Sequence, residues 1–254
     1  MNDQPSNSPS NPRPRTSEVE SFTTSESSDT KRILLGLMAK YWTPGAVKTR
    51  LGQLIGMEQS ACLQKLFLTH LADSLSDFAT RRVVAVTPID KLQEVAKCVS
   101  PAWDVVPQAD GDLGHRMQSW FRDALTDSDY AILIGADCPL LDPQRLGSAS
   151  DFLQQHDVVV GPAVDGGYYL IGLRGPWDDR YDSLFDDIPW STDQVLARTL
   201  SRASANDLSL VQLAVDEDID TRDSLQRLRR LLNATADTSD RHRQLAAGID
   251  EIWT

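Results

Sequence analysis

The stretch AILIGADCPLL, residues 131–141, brings a run of apolar residues directly to a carboxylate, Asp137. Glycine, aspartate and proline are common where a chain leaves a sheet, so an ordinary turn is one interpretation of this stretch. Open α/β sheets, however, bind their ligands at the carboxyl ends of the strands. Asp137 is therefore also a candidate ligand-binding carboxylate, and the rest of the chain must decide between the two interpretations.

Short apolar runs alternate with helical patterns along the chain. Strands are predicted at residues 32–38, 83–86, 103–107, 130–135, 157–163, 167–173 and 208–215. Helices are predicted at 57–76, 92–99, about 114–126, from Asp142-Pro143 onward, at 192–203 with Thr192 as the cap, at 221–232 and at 241–253, and loops at 39–52 and 108–116. This alternation predicts a layered α/β sheet, mostly parallel. The strand at 167–173 follows its predecessor too closely for a crossover helix, so it is predicted to be antiparallel.

Size and composition favour a single folded domain and exclude several classes of partner. The chain has 254 residues, 41% of them hydrophobic, and a net charge of −12, which argues against nucleic-acid or membrane-surface binding. No apolar run reaches the roughly 18 residues that a spanning helix needs.

The three cysteines are widely separated, which fits a reducing compartment and predicts a cytoplasmic location. Cys62 and Cys98 are predicted to be small core residues on helices, whereas Cys138 could be exposed.

The first 30 residues differ in composition from the remainder. Their only apolar residues are Met1, Val19 and Phe22, among many Ser, Thr, Pro and Asn. Such a segment cannot bury enough surface to offset the entropy lost on ordering. The sequence therefore predicts a disordered tail at 1–30 and a single domain at 31–254.

Basic residues and glycines follow two of the predicted strands. Lys40, Lys48 and Arg50 surround the first loop and could hold a phosphate or diphosphate, although a solvated surface loop is the alternative. Gly111 and Asp112 follow the third strand, where the backbone could approach a nucleotide, and a plain helix start is the alternative.

A turn signal, Asp165-Gly166-Gly167, lies between the fifth and sixth strands, with Tyr168 and Tyr169 directly after it. Successive strand residues point to opposite faces, so only one of these tyrosines can face the crevice. The segment is either an ordinary β-hairpin turn or a substrate loop formed by Asp165, Gly166, Gly167 and Tyr168.

Acidic residues follow the last strand in the stretch DEDIDTRDSL, residues 216–225. Carboxylates gathered at one strand end repel one another unless they are solvated or bridged by a cation. Asp218 and Asp220 can point the same way, and together with Asp137 they could hold Mg²⁺ or Mn²⁺. A helix N-terminus capped by Thr221 or Asp220 is the alternative, and it is compatible with a metal site.

Six stretches together resemble a bacterial family of nucleotide-diphospho-sugar transferase-like proteins. They are MAKYWTPGAVKTRLG, GDLGHRM, LIGADCPLL, VVVGPAVDGGYYLIGL, LFDDIPWSTDQVL and DIDTRDSL, in that order, within residues 32–228. This GT-A-like family is associated with radical-SAM and selenodomain proteins and with arsenosugar biosynthesis, and it is related to the guanylyltransferases of molybdenum-cofactor synthesis.

The resemblance implies a three-layer α/β/α fold with a mixed, mostly parallel sheet, and a transferase that takes a nucleotide or nucleotide-sugar substrate and a small-molecule acceptor. It implies that Asp137 is the metal carboxylate, that Asp218, Asp220 and Thr221 match an Asp-x-Asp-Thr, and that Lys40, Lys48 and Arg50 meet the phosphates. Asp165 is the candidate general base for an acceptor hydroxyl. Three hypotheses stay open: a metal-dependent glycosyltransferase, a nucleotidyltransferase that releases pyrophosphate, and a non-catalytic nucleotide-binding module. The lack of a second aspartate after Asp137 favours the nucleotidyltransferase branch, whereas the name of the family favours glycosyl transfer.

Overall fold

The computed structural model describes residues 1, 31–234 and 239–253. Within them the strands are β1 (Ile33–Lys40), β2 (Arg81–Thr87), β3 (Asp104–Pro107), β4 (Tyr130–Ile134), β5 (Val158–Pro162), β6 (Tyr168–Arg174) and β7 (Leu210–Gln212). The helices in the same residues are α1 (Thr49–Ile55), α2 (Met57–Ser74), α3 (Leu92–Ala96), α4 (Leu113–Ala124), α5 (Pro143–Leu153), α6 (Val195–Ala205), α7 (Arg222–Ala234) and α8 (Asp240–Ile252). The predicted tail lies almost entirely outside the described residues, so its disorder stays a prediction.

The strands form one mixed sheet in the order β3-β2-β1-β4-β6-β5-β7. Strand β6 runs antiparallel to both of its neighbours, β4 and β5, and the other pairings are parallel. The five residues between β5 and β6 are too few for a crossover connection, which forces the reversal. The predicted α/β fold with one antiparallel strand is confirmed.

Helices cover both faces of the sheet because successive strand side chains point in opposite directions. Leu35 and Ile132 belong to the core beneath α2, α3 and α5. Leu34 and Leu133 belong to the core beneath α4 and α6 on the other face. Helices α1, α2, α7 and α8 share a further apolar cluster that includes Phe67. The result is the three-layer arrangement that the family resemblance implied.

Two of the predicted loops are shorter than the sequence indicated. Strand β1 continues through Lys40 because it pairs with β2 as far as Thr87, and α1 already begins at Thr49. Helix α4 begins at Leu113, since Asp112 accepts a hydrogen bond from the backbone N–H of His115 and so acts as the N-cap. The last strand is shorter than predicted and covers only Leu210–Gln212.

The helix caps agree with the sequence in one case and correct it in another. Asp142 caps α5 and accepts a hydrogen bond from the backbone N–H of Arg145 at 2.8 Å. Thr192 is not the cap of α6, which begins only at Val195. The Thr192 hydroxyl instead donates to the carbonyl of Pro189 at 2.7 Å, so it closes the turn that precedes the helix.

The start of α7 settles an alternative left open by the sequence. Thr221 accepts a hydrogen bond from the backbone N–H of Ser224 at 3.1 Å, so Thr221 and not Asp220 takes the capping role. Asp220 is therefore available for other contacts.

Two cysteine predictions were wrong. Cys62 is exposed on α2, whereas Ala61 and Leu63 on either side of it are buried in the protein core. Cys138 is buried, and Cys98 is half-buried just beyond α3. Among the described residues, none of the helices combines the length and the apolar character that crossing a membrane requires.

Candidate functional site

The carboxyl ends of the parallel strands lie at one edge of the sheet, and the loops that follow β1, β4 and β7 meet there with the β5–β6 turn. These segments surround a cavity of about 540 Å³. Its lining includes Arg50, five carboxylates and four apolar or aromatic residues; the carboxylates are Asp137, Asp165, Asp193, Asp218 and Asp220, and the apolar or aromatic residues are Leu113, Tyr168, Trp190 and Val195. The cavity therefore gathers charged and apolar groups from distant parts of the chain.

Lys48 lies at the base of this cluster. Its side chain is only 2% exposed, and its ammonium contacts Oδ1 of Asp137 at 2.5 Å and Oδ1 of Asp220 at 3.1 Å. It also donates to the carbonyl of Ile219 at 2.9 Å. Burial by itself would lower the pKa of Lys48, but the charges of Asp137 and Asp220 outweigh it and raise the pKa. The lysine is therefore a buried ammonium ion that holds the β4 and β7 loops together.

Asp218 is a largely buried carboxylate. The Cys138 thiol donates to its Oδ1 at 3.0 Å. Burial raises the pKa of Asp218 to about 6, and the negative charges of Asp165, Asp137 and Asp220 act in the same direction. Burial and the neighbouring carboxylates also raise the pKa of the Cys138 thiol, which makes this cysteine a poor nucleophile.

The acidic run 216–220 divides between this cavity and the surface. Asp216 pairs with Arg145 at 2.7 Å, and Glu217 pairs with Arg227 at 2.5 Å. Only Asp218 and Asp220 of the run line the cavity.

The three carboxylates predicted to bind a metal do come together, but the cation between Asp137 and Asp220 is the Lys48 ammonium. In the part of the chain that the structure describes, no group of three or more His, Cys, Asp or Glu side chains has a metal-binding arrangement. The donor chemistry still fits a hard cation, because Asp137, Asp218 and Asp220 bring carboxylate oxygens to this cavity. The metal site therefore stays a prediction.

The predicted phosphate-binding residues separate into two groups. Lys48 and Arg50 belong to the cavity, one at its base and the other in its lining. Lys40 ends β1 as an exposed residue and does not line the cavity. Gly111 and Asp112 precede α4, where Asp112 is the helix cap and the following Leu113 is the residue that lines the cavity.

Asp165 is both a turn residue and a cavity residue. Its Oδ1 accepts a hydrogen bond from the backbone N–H of Gly167 at 2.9 Å, which is a local turn contact. Asp165, Gly167 and Tyr168 also line the cavity. Tyr169 points to the other face of the sheet, where its hydroxyl donates to the carbonyl of Ala214 at 3.0 Å. Asp165 therefore stabilises the turn between β5 and β6 and also lines the cavity.

One part of the cavity was not anticipated from the sequence. Trp190, Ser191, Thr192 and Asp193 line it, although the sequence predicts a helix that begins at Thr192. The only local signal was the Pro189-Trp190 pair within the stretch LFDDIPWSTDQVL. Hydrophobic periodicity does not identify such irregular segments.

Comparisons with known proteins fit this architecture. Residues 71–192 match a family model described as "Uncharacterized protein conserved in bacteria (DUF2064)". A solved structure from Desulfovibrio desulfuricans G20, described as a "putative nucleotide-diphospho-sugar transferase", is 29% identical and superposes with a TM-score of 0.77. That alignment covers 87% of this chain and 95% of the other. Among curated proteins, no sequence matches the chain.

More distant solved structures share the fold. A CMP:2-keto-3-deoxy-manno-octonic acid synthetase complexed with CTP is 13% identical, with a TM-score of 0.51 over 80% of this chain and 99% of that chain. A cytidylyltransferase from Leptospira borgpetersenii serovar Hardjo-bovis (strain JB197) is 14% identical, with a TM-score of 0.50 over 88% of this chain and 97% of that chain. At these identities the similarity shows the fold alone.

Proposed function

We propose that this chain is a metal-dependent transferase that acts on a nucleotide-sugar donor. The observation that carries the proposal is the buried Lys48 ammonium among the carboxylates, with Arg50 beside them in the same cavity. An ammonium and a guanidinium at the carboxyl ends of parallel strands suit a diphosphate, because lysine provides a point charge and arginine a fork of N–H donors. The similarity to the Desulfovibrio protein supports the same class of activity.

The charge balance of the cavity supports the metal. Five carboxylates line the cavity and outnumber the basic groups Lys48 and Arg50, so a bare diphosphate would meet net repulsion. We propose that Asp137, Asp218 and Asp220 hold Mg²⁺ or Mn²⁺, which are hard cations that prefer oxygen ligands. Such a cation, when bound, neutralises the charge of the leaving diphosphate.

Different residues of the chain then bind the phosphates of the donor and activate the acceptor. Arg50 contacts the phosphates and the buried Lys48 contributes its positive charge from the base of the carboxylate cluster, with Lys40, Gly111 and Asp112 as further candidates on the adjacent loops. Asp165 takes the proton from the acceptor hydroxyl. The bond between the sugar carbon and the phosphate oxygen breaks, a bond from that carbon to the acceptor oxygen forms, and the nucleoside diphosphate leaves. Gly166, Gly167 and Tyr168 form the loop on the substrate side.

A nucleotidyltransferase that releases pyrophosphate is the second candidate. The observation that favours it is the end of β4, where a single carboxylate, Asp137, is followed by a buried thiol, Cys138, and not by a second acid. The same basic groups would then hold the triphosphate of a nucleoside triphosphate.

A two-product assay distinguishes the candidates. The full-length protein is incubated with nucleotide sugars and with nucleoside triphosphates plus sugar phosphates, with and without Mn²⁺. Release of a nucleoside diphosphate from a nucleotide sugar supports the first proposal, and release of pyrophosphate supports the second. Binding without either product would leave a nucleotide-binding module. An absence of binding as well would overturn the proposal.

Location and biological setting remain proposals. We propose a cytoplasmic enzyme with a small-molecule acceptor, on the basis of the widely separated cysteines and the acidic composition. The association with radical-SAM proteins and arsenosugar synthesis stays a prediction from the sequence resemblance.

A further inference from the structure

An irregular segment, residues 189–193, forms one side of the cavity, and we call it the wall segment. Four of its five residues line the cavity: Trp190, Ser191, Thr192 and Asp193. Ser191 has φ +64°, a left-handed conformation that side-chain-bearing residues rarely adopt. No helix or strand ladder fixes this segment, so contacts with neighbouring elements must determine its position.

The first of these contacts is Gly114 in the first turn of α4. A Cβ at this position would lie 2.5 Å from the carbonyl oxygen of Phe185 and 2.5 Å from Nε1 of Trp190. Because the Phe185 oxygen belongs to the backbone, it cannot move aside as a flexible side chain could. Only glycine allows the indole of Trp190 to pack this closely against α4.

The second contact is Gly166 in the β5–β6 turn. It has φ +89°, and a Cβ here would lie 2.2 Å from the carbonyl oxygen of Asp193. Its own carbonyl accepts a hydrogen bond from the backbone N–H of Leu196 at 2.9 Å. Gly114 and Gly166 are 52 positions apart in sequence. They pack against Trp190 and Asp193, near the two ends of the wall segment.

The ring of Trp190 is held by packing. Its Nε1 is buried and makes no hydrogen bond within the described residues, which is unfavourable for an indole N–H. Tyr168 also lines the cavity. The lining therefore combines the apolar or aromatic residues Leu113, Tyr168, Trp190 and Val195 with five carboxylates.

We infer that Gly114 and Gly166 are positioning residues that hold the wall segment so that Trp190 packs against the sugar moiety of the donor. The inference rests on the proposed function and specifies how its donor is selected. A sugar ring presents C–H groups on its faces and hydroxyl groups at its edges, which suits a cavity lined by both an aromatic side chain and carboxylates. A cavity of about 540 Å³ holds a diphosphate and a sugar, so Trp190 selects among donors by their sugar.

Matched ligand pairs isolate the contribution of the sugar. Titration calorimetry with Mn²⁺ measures Kd for UDP and UDP-glucose, GDP and GDP-mannose, and ADP and ADP-glucose. In the wild-type protein, one nucleotide sugar should bind more tightly than its nucleoside diphosphate. We call this difference in affinity the gain from the sugar. It should be lost in Trp190→Phe and Trp190→Ala, because Kd for the nucleotide sugar should rise about tenfold. Kd for the nucleoside diphosphate should stay within about twofold.

The controls separate positioning from general damage to the fold. Trp253→Phe replaces a tryptophan beside α7 and should keep the gain. Gly114→Ala should lose the gain, whereas Gly147→Ala should keep it because a Cβ there meets no atom within 4 Å. A merely structural role would weaken the binding of both ligands together. If Gly114→Ala does not fold, the Trp190 variants still decide the question.

Two results would overturn the inference. One is an unchanged gain from the sugar in Trp190→Ala, and the other is an equal loss of affinity for both members of a pair. Either would leave the proposed function in place. If none of the nucleotides or nucleotide sugars binds the wild-type protein, the proposed function fails and the inference fails with it.

Discussion

The ammonium of Lys48 lies 2.5 Å from Oδ1 of Asp137, although 89 positions separate the two residues in sequence. The lysine side chain is 2% exposed and the aspartate side chain 43% exposed, so the pair has a buried cationic end and an open anionic end. A ligand that enters the cavity meets the carboxylate before it meets the ammonium. An anionic ligand is therefore repelled first, which is why the proposed function includes a divalent cation.

Replacing Lys48 by Met should weaken both the fold and ligand binding. The carboxylates of Asp137 and Asp220 stay partly hydrated, so the loss of stability should be roughly 1–3 kcal/mol, below the usual cost of leaving a fully buried charge unpaired. Urea unfolding measures this loss. Nucleotide affinity with Mn²⁺ should fall about tenfold or more, and Lys97→Met, an exposed change just beyond α3, should leave it unchanged. Unaltered affinity in Lys48→Met would make this lysine a purely structural ion.

Asp218→Asn should raise the stability of the metal-free protein at neutral pH. The pKa of Asp218 is about 6 in the folded state against an ordinary value of 3.8, because burial and the nearby carboxylates disfavour its charge. The wild-type protein should therefore lose stability as the pH rises from about 4 to 6. At pH 7 the variant should be more stable by roughly 1–3 kcal/mol, and the difference should vanish near pH 4. Thermal unfolding with a chelator, followed across this range, measures the effect.

The same variant tests the metal proposal. Mn²⁺ should raise the melting temperature of the wild-type protein and raise that of Asp218→Asn much less, since the variant has lost a charged oxygen ligand. Equal stabilisation of both proteins by Mn²⁺ would exclude Asp218 as a ligand.

His70 should make the protein sensitive to acid. Burial, together with the charges of His242 and Arg241, lowers its pKa from 6.5 to about 4, and Asp73 opposes them. The unfolded chain therefore binds a proton that the folded chain resists between pH 6.5 and 4, so stability should fall by roughly 1–3 kcal/mol as the pH falls through this window. His70→Gln should flatten this part of the profile of melting temperature against pH. Identical profiles would show that His70 does not cause the loss.

Asp165→Asn should separate turnover from binding. The substitution keeps the shape of the side chain and the turn contact to Gly167, but it removes the base. Turnover should fall by roughly 10²–10⁴-fold, while Kd for the nucleotide stays close to that of the wild type. Asp151→Asn on α5 is the matched control and should retain turnover. Unchanged turnover in Asp165→Asn would reduce Asp165 to a hairpin residue.

Deletion of residues 2–30 should leave the melting temperature nearly unchanged. Their composition cannot build a core, so they should contribute little to the free energy of unfolding. Thermal unfolding of the full-length and shortened proteins measures this directly. A drop of several degrees would show that these residues pack on the domain.

The sequence by itself determined the elements and the sheet type, because these follow from local patterns. The buried run before Gly135 marked β4, the short connection around Gly166 required an antiparallel strand, and Asp142 marked the start of α5. Each of these signals depends on residues a few positions apart, where backbone geometry and side-chain periodicity act directly. The sequence also placed Asp137 and Asp218 at one edge of the sheet, since parallel strands end together.

The tertiary structure alone decided which charges and surfaces meet. Lys48 was expected to hold a ligand in an open loop, yet it lies buried between Asp137 and Asp220 because β1 and β4 are neighbours in the sheet. Cys138 is buried where the loop after β4 meets the loop after β7 that carries Asp218. The wall segment depends on contacts of Gly166 with Asp193 and of Gly114 with Trp190, which are 27 and 76 positions apart in sequence. Such contacts are set by the order of the strands and the close packing of the layers, and neither leaves a periodic signal in the sequence.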